Sequence, residues 1–359
     1  RRMMRRVMAW TAALLVSAPL AAEGQWERLS SGSSASLRGI SVPSREVAWA
    51  SGTGGTVLRT IDGGRTWRNV SVRGADSLDF RDVEAIDERR AWVLSIGNGR
   101  ASRIYGTTDG GATWTLQFQN TDSAAFYDCI DSWTARNAIA MSDPVHGYYR
   151  IVETRDGRVW KVSDTTQSPK AMPGEGGFAA SGTCLVARRD VKLVNGIGIE
   201  SRLAWLATGG GEQARVLRSD NRGRRWRSSV TPLPAGSASK GVFGLAFRSA
   251  RRGIAVGGDY AAPRDSSSVV ALTRDGGRTW RSPKGRQPGG YRSGVAWVAG
   301  SRDRIVAVGT SGSDLSKDGG ESWIPLDTTA LNAVAFAKRG KAGYAVGPKG
   351  VIVRWVGPK

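Results

Sequence analysis

Thr60-Ile61-Asp62-Gly63-Gly64-Arg65-Thr66-Trp67 is the stretch that decides the fold, because its grammar returns along the chain. Thr107 to Trp114, Thr273 to Trp280 and Ser316 to Trp323 repeat it, with Asp109, Asp275 and Asp318 in the place of Asp62. Two copies are altered. Ser219 to Trp226 carries Asn221 in place of the Asp, and Thr154-Arg155-Asp156-Gly157-Arg158-Val159-Trp160 is one residue shorter. A motif that recurs in this way marks a recurring structural unit, and the unit sets the architecture.

The sequence around the first copy shows what the unit is. Leu37 to Val42, Glu46 to Ala50, Thr56 to Thr60 and Trp67 to Val72 each alternate or cluster apolar residues as strands do. Asp62-Gly63-Gly64 falls between the third and fourth, where a hairpin needs residues that tolerate positive φ. One period therefore predicts a four-stranded antiparallel meander. The same order returns from Phe80, Phe126, Ala204, Val242, Gly294 and Asn332, which makes seven units. The last ends at Trp355, one strand short, while Gln25-Trp26-Glu27-Arg28-Leu29 is left over before the first. If that strand completes the last sheet, the ring closes without an unpaired edge, giving an all-β, seven-bladed propeller. The expected layout is a secretory signal peptide over 1–22 and one propeller domain over 23–359.

The signal-peptide reading rests on Arg1, Arg2, Arg5 and Arg6, the apolar run Val7 to Leu20, and the small residues Ala21-Ala22. The alternative is an N-terminal membrane anchor, for which the run is short. Export, to the periplasm or beyond, is the expectation. In such a compartment Cys129 and Cys184 pair or remain two separate buried thiols; the spacing leaves both open. With one His and no close Cys pair, a Cys/His zinc site is excluded, and no other metal or cofactor motif is read. Asp128, Asp131 and Asp143 lack a calcium-loop pattern.

The pattern Ser/Thr-x-Asp-x-Gly-x-Thr-Trp resembles the Asp-box, or BNR repeat, of sialidases and sortilin-type propellers. Trp49 to Thr60 and Tyr344 to Ile352 are similar to the blades of the photosystem II stability/assembly factor family. That resemblance implies a seven-bladed propeller over about residues 25 to 356 and an assembly or binding role. It gives Asp62, Asp109, Asn221, Asp275 and Asp318 a structural part with Trp67, Trp114, Trp226, Trp280 and Trp323, the aspartates as turn formers and the tryptophans as inter-blade staples. The physical reading agrees, because an Asp in such a turn accepts backbone N–H groups of its own loop. A sialidase also needs an arginine triad, a Tyr–Glu nucleophile pair and an Arg-Ile-Pro signature. The signature is absent and no facing carboxylate pair can be singled out. A glycoside hydrolase acting on an acidic glycan stays as the alternative.

The formal net charge of +21 points to an anionic partner, and export makes that an acidic protein surface or envelope polymer and not nucleic acid. Two surfaces are candidates on a monomeric propeller with no membrane span in its mature part. The box-turn face collects Arg65, Arg68, Arg222, Arg224, Arg225, Arg227, Arg278 and Arg281 as a basic rim. The opposite face carries long loops at 95–103, 142–149 and 257–265, and an insertion from Asp164 to Gly182. Asp143, His146, Tyr148, Asp259, Tyr260 and Arg264 are the expected contact residues there, at the channel mouth.

Overall fold

The computed structural model describes residues 26–163, 168–195, 197–338 and 340–357. The segment read as a signal peptide, 1–22, lies outside them. Within them the chain forms seven antiparallel meanders, blades 1 to 7, each running from its innermost strand outward. The inner strands touch in the order of blades 1 to 7 and then back to 1, so the sheets close into a ring. Trp26–Leu29 pairs antiparallel with Ile352–Trp355, with Trp26 opposite Trp355 and Leu29 opposite Ile352. The N-terminal strand is thus the outer strand of blade 7, as the leftover strand predicts. Its indole also donates to Ser313 Oγ of blade 6 at 3.0 Å.

Blade 5 departs from the four-strand plan. Its sheet has three strands, Lys240–Phe247, Gly253–Asp259 and Val270–Thr273, and the fourth shrinks to a single bridge between Leu272 and Arg281. The cause is local. Pro283 follows two residues after Arg281 and removes a ladder N–H, so pairing stops there.

Each full box builds the same turn. The Asp62 carboxylate accepts the Thr66 N–H (2.9 Å), the Thr66 hydroxyl (2.6 Å) and the Thr60 hydroxyl (2.8 Å). Thr60 Oγ1 accepts the Gly64 N–H at 2.9 Å. Gly63 and Gly64 have φ of 73° and 84°, which only residues without a Cβ adopt freely. The Gly63 N–H reaches back to the Glu46 carbonyl and pins the box to the neighbouring hairpin of its blade. The same bonds recur at Asp109, Asp275 and Asp318. Bonds from the Thr113 hydroxyl and N–H hold Asp109 down at about 2, so this carboxylate stays ionised and committed to its turn.

Box tryptophans join blades. Trp67 meets Tyr344, Trp114 meets Trp49 and Trp160 meets Trp92, each edge to face at ring separations of 5.8, 6.2 and 5.9 Å. Every one of these pairs links a blade to the one before it. The receiving aromatic sits on the second strand, and the two tryptophans among them bond forward, Trp49 Nε1 to the Asp87 carbonyl and Trp92 Nε1 to the Gly157 carbonyl; Trp205, on the second strand of blade 4, likewise bonds the Gly276 carbonyl of blade 5. Such ring pairs add about 0.5–1.5 kcal/mol each beyond the area they bury.

The inner strands face the channel with one edge unpaired, and their polar backbone groups need partners. Neighbouring side chains supply several. Ser41 Oγ accepts Ala85 N–H, Asp82 accepts Ile130 N–H (2.8 Å), and Asp131 accepts Ala187 N–H (2.7 Å). Farther round, Ser293 Oγ donates to the Asn332 carbonyl and Asn332 Nδ2 to the Leu37 carbonyl, both across blade boundaries. Asp82 and Asp131 are therefore structural ties between blades.

Candidate functional site

The insertion after Trp160 changes the face on which the long loops lie. Its described part, residues 168–182, first pairs with the 147–149 turn, then with Gly209 of blade 4, and then crosses the ring towards blades 2, 5 and 6. Asp143 Oδ1 accepts the Gly177 N–H at 2.7 Å, and the Phe178 ring stacks on Phe243 of blade 5 at 3.8 Å. Arg81 of blade 2 donates to the Ala179 carbonyl, and Ser181 Oγ donates to the Ser293 carbonyl at the start of blade 6. Cys184, directly after the insertion, is disulfide-bonded to Cys129 on the inner strand of blade 3, with Cα atoms 6.2 Å apart.

The contact surface expected at the channel mouth is accordingly rearranged. Asp143 is largely buried, its carboxyl pushed up by that burial, and it seats the insertion. The stretch 142–149 is not a long loop. Strands reach Val145 and start again at Tyr148, leaving His146 and Gly147 as a tight turn with φ of 52° and 79°. Two consecutive residues at positive φ match the twist of a two-residue hairpin, and His tolerates that region better than most side chains. His146 and Tyr148 remain exposed. Asp259 caps its own loop by accepting the Ala261 N–H. Tyr260 leans edge-on against Phe243, and Arg264 is exposed. The blade 3 and blade 5 residues do not meet each other; Gly177 and Phe178 stand between them.

The box-turn face is different. Of its predicted arginines, Arg281 is neutralised by Glu321 of blade 6, and Arg278 donates to the Asp275 carbonyl of its own turn. Arg222, Arg224, Arg225 and Arg227 of blade 4 have no ion pair among the described residues. Arg222 takes the position that Gly63, Gly110, Gly276 and Gly319 hold in the full boxes, and it does so at φ 65°. Left-handed backbone at a long side chain costs about 1–2 kcal/mol. The altered box nonetheless closes: Asn221 Oδ1 accepts the Arg225 N–H at 2.9 Å, and Ser219 Oγ accepts the Gly223 N–H. Partial burial, and then the like charges of Arg202 and Arg155, hold the Arg222 guanidinium below its usual range. A cleft of about 360 Å³ opens beside it, lined by Glu153, Arg155, Ser168, Arg222 and Arg224. This seam between blades 3 and 4 concentrates cationic side chains that the fold does not require.

Sequence reasoning missed the element next to that seam. The first two strands of blade 4 are Leu185–Val194 and Ile197–Ala207, paired over their whole length, so they extend beyond the blade as a two-stranded ribbon. Asn195-Gly196 between alternating apolar residues is the signal that would have found it.

Two solved structures have this architecture over nearly the whole chain. One is described as YCF48 bound to D1 peptide, with a TM-score of 0.61, 16% identity, and 95% of this chain and 99% of that chain covered. The fold is that of YCF48. The other, YCF48 from Cyanidioschyzon merolae, gives a TM-score of 0.60 at 19% identity, covering 92% and 98%. No protein-family profile matches the chain, and no curated protein matches it. No helix among the described residues is long and apolar enough to cross a membrane.

Proposed function

We propose that this chain is an exported, non-catalytic binding propeller of the assembly-factor kind, engaging an acidic segment of a partner protein on its box-turn face. The observation that carries this reading is Arg222 and Arg224 at the blade 3–4 seam, without an ion pair among the described residues and beside Arg202 and Arg155, with Arg225 and Arg227 following in the same stretch of blade 4. Arg155 and Arg202 are ion-paired with Glu153 and Glu200, but Arg222 and Arg224 are not neutralised, and like charges left so raise the local potential and draw in an anionic group. The net charge of +21 acts in the same direction. The fold-level likeness to a propeller whose structure includes a bound peptide makes a protein ligand the natural class. The hydrolase alternative has less support, because Asp82 and Asp131 are tied to neighbouring backbone N–H groups and the box aspartates to their own turns.

The test is binding of a fluorescein-labelled octaglutamate peptide to the full chain, followed by anisotropy across a salt series. Affinity should fall steeply with ionic strength, and reversal of the four blade 4 arginines to Glu should weaken it by about tenfold or more. Salt-independent binding, or unchanged affinity in the reversed variant, would overturn the proposal.

A further inference from the structure

The ribbon of blade 4 has an open edge beside the arginine cluster. Its two strands pair from Leu185–Leu206 to Val194–Ile197, whereas the third strand of the blade covers only Ala204–Ala207. Alternate residues of a strand direct both backbone groups to the same side. On the second strand that parity is set by two observed bonds. The Ala207 N–H bonds Cys184 O, inside the ribbon, and the Arg202 carbonyl accepts the Arg222 N–H, outside it. Glu200 and Gly198 share the parity of Arg202, so their N–H and C=O groups face outward, and no partner meets them among the described residues. Val191 and Ile199 on the ribbon are 57% and 50% exposed, unusually so for apolar strand residues.

We infer that the outer edge of Ile197–Arg202 is a strand-addition site, which takes an extended acidic peptide segment as a third ribbon strand running over Arg222 and Arg224. This deepens the function proposed above and rests on it. The edge supplies sequence-independent main-chain bonds, and the cluster beneath supplies the preference for acidic side chains. Charge complementarity selects this edge, since Arg222 is bonded to the Arg202 carbonyl and lines the adjoining cleft with Arg224, while Arg202 itself is ion-paired with Glu200. Natural sheets usually blunt such an edge by cover or by inward charge, and this one is left bare over its distal residues.

The test compares Glu200→Pro with Glu200→Ala in binding a fluorescein-labelled octapeptide of alternating Glu and Val. Both remove the carboxylate that pairs with Arg189 and Arg202, but only Pro removes the outward N–H. That N–H takes no part in the ribbon ladder, so Pro is placed where an edge strand tolerates it. Melting curves matched to wild type establish that each variant is folded. A ribbon-shortened variant, with Arg189 joined to Arg202 through Asn-Gly, removes the edge independently of proline. Glu200→Pro and the shortened ribbon should bind about tenfold or more weakly than Glu200→Ala. Equal affinity of all three, with loss still seen on reversing Arg222 and Arg224, overturns strand addition and leaves the arginine reading standing. Failure of wild type to bind the probe overturns both.

Discussion

Reduction of Cys129–Cys184 is the perturbation whose magnitude follows most directly from the structure. The bond closes a loop with a sequence separation of 55 residues and joins the inner strand of blade 3 to the residue that leads into blade 4. Chain-entropy reasoning for a loop of that size gives about 4 kcal/mol of stabilisation. An unfolding entropy of about 2.1 cal/mol/K per residue amounts to roughly 0.7 kcal/mol/K over the propeller, so the expected fall in Tm is about 6 °C. The assay is differential scanning fluorimetry of the oxidised protein, the same protein in reductant, and the Cys129→Ser/Cys184→Ser double variant. The two thiol-free or reduced forms should agree with each other. Each should also gain hydrogen exchange at Gly177 and Leu245, because the insertion is held at its end by the disulfide and by the bond from the Leu245 N–H to the Thr183 carbonyl. A fall in Tm of less than about 1 °C, with the thiols shown to be oxidised at the start, would refute the reasoning.

Trp205→Ala should destabilise by about 3–5 kcal/mol, measured by denaturant unfolding, because this buried indole stacks on Phe247 at 3.7 Å and bonds the Gly276 carbonyl of the next blade. Removal of Trp26–Leu29 should open the ring at blade 7 and give a chain that aggregates on heating, seen by light scattering, whereas a closed-ring protein stays monodisperse. Asp131 carries a pH signature. Burial, and then the facing Glu84, push its carboxyl up to about 7 against the opposing charge of Lys338. The folded state therefore keeps a proton that the unfolded chain has lost. The stabilisation is complete below the unfolded value near 4 and is lost as pH rises through 7, with a slope of at most about 1.4 kcal/mol per pH unit. Relative to wild type, Asp131→Asn should flatten the fall in Tm between pH 5 and 7; an unchanged slope would remove Asp131 from the account.

The ring and its closure were legible because they rest on local signals that repeat. Asp62-Gly63-Gly64 dictates a turn by its own chemistry, and Trp26 was visible as a strand without a unit. Strand ends were less so: Glu46 reads as strand, but the sheet starts at Ala48 because Ser44 Oγ captures the N–H groups of Glu46 and Val47. The candidate site was only half visible. Which arginines lie near the box turns follows from spacing, but which of them is neutralised depends on the facing blade, as Arg281 and Glu321 show. The path of the insertion across the ring was hidden for the same reason, since Gly177 and Phe178 find their partners on blades 3 and 5.

Photo-crosslinking from envelope extract tests the central claim most directly, with benzoylphenylalanine placed at Val159 beside the blade 3–4 seam or at Tyr260 on the insertion face, both exposed. The account predicts a protein adduct from Val159, captured through an acidic segment and lost when Arg222 and Arg224 are reversed, with none from Tyr260. An adduct from Tyr260 that survives the reversal would contradict it.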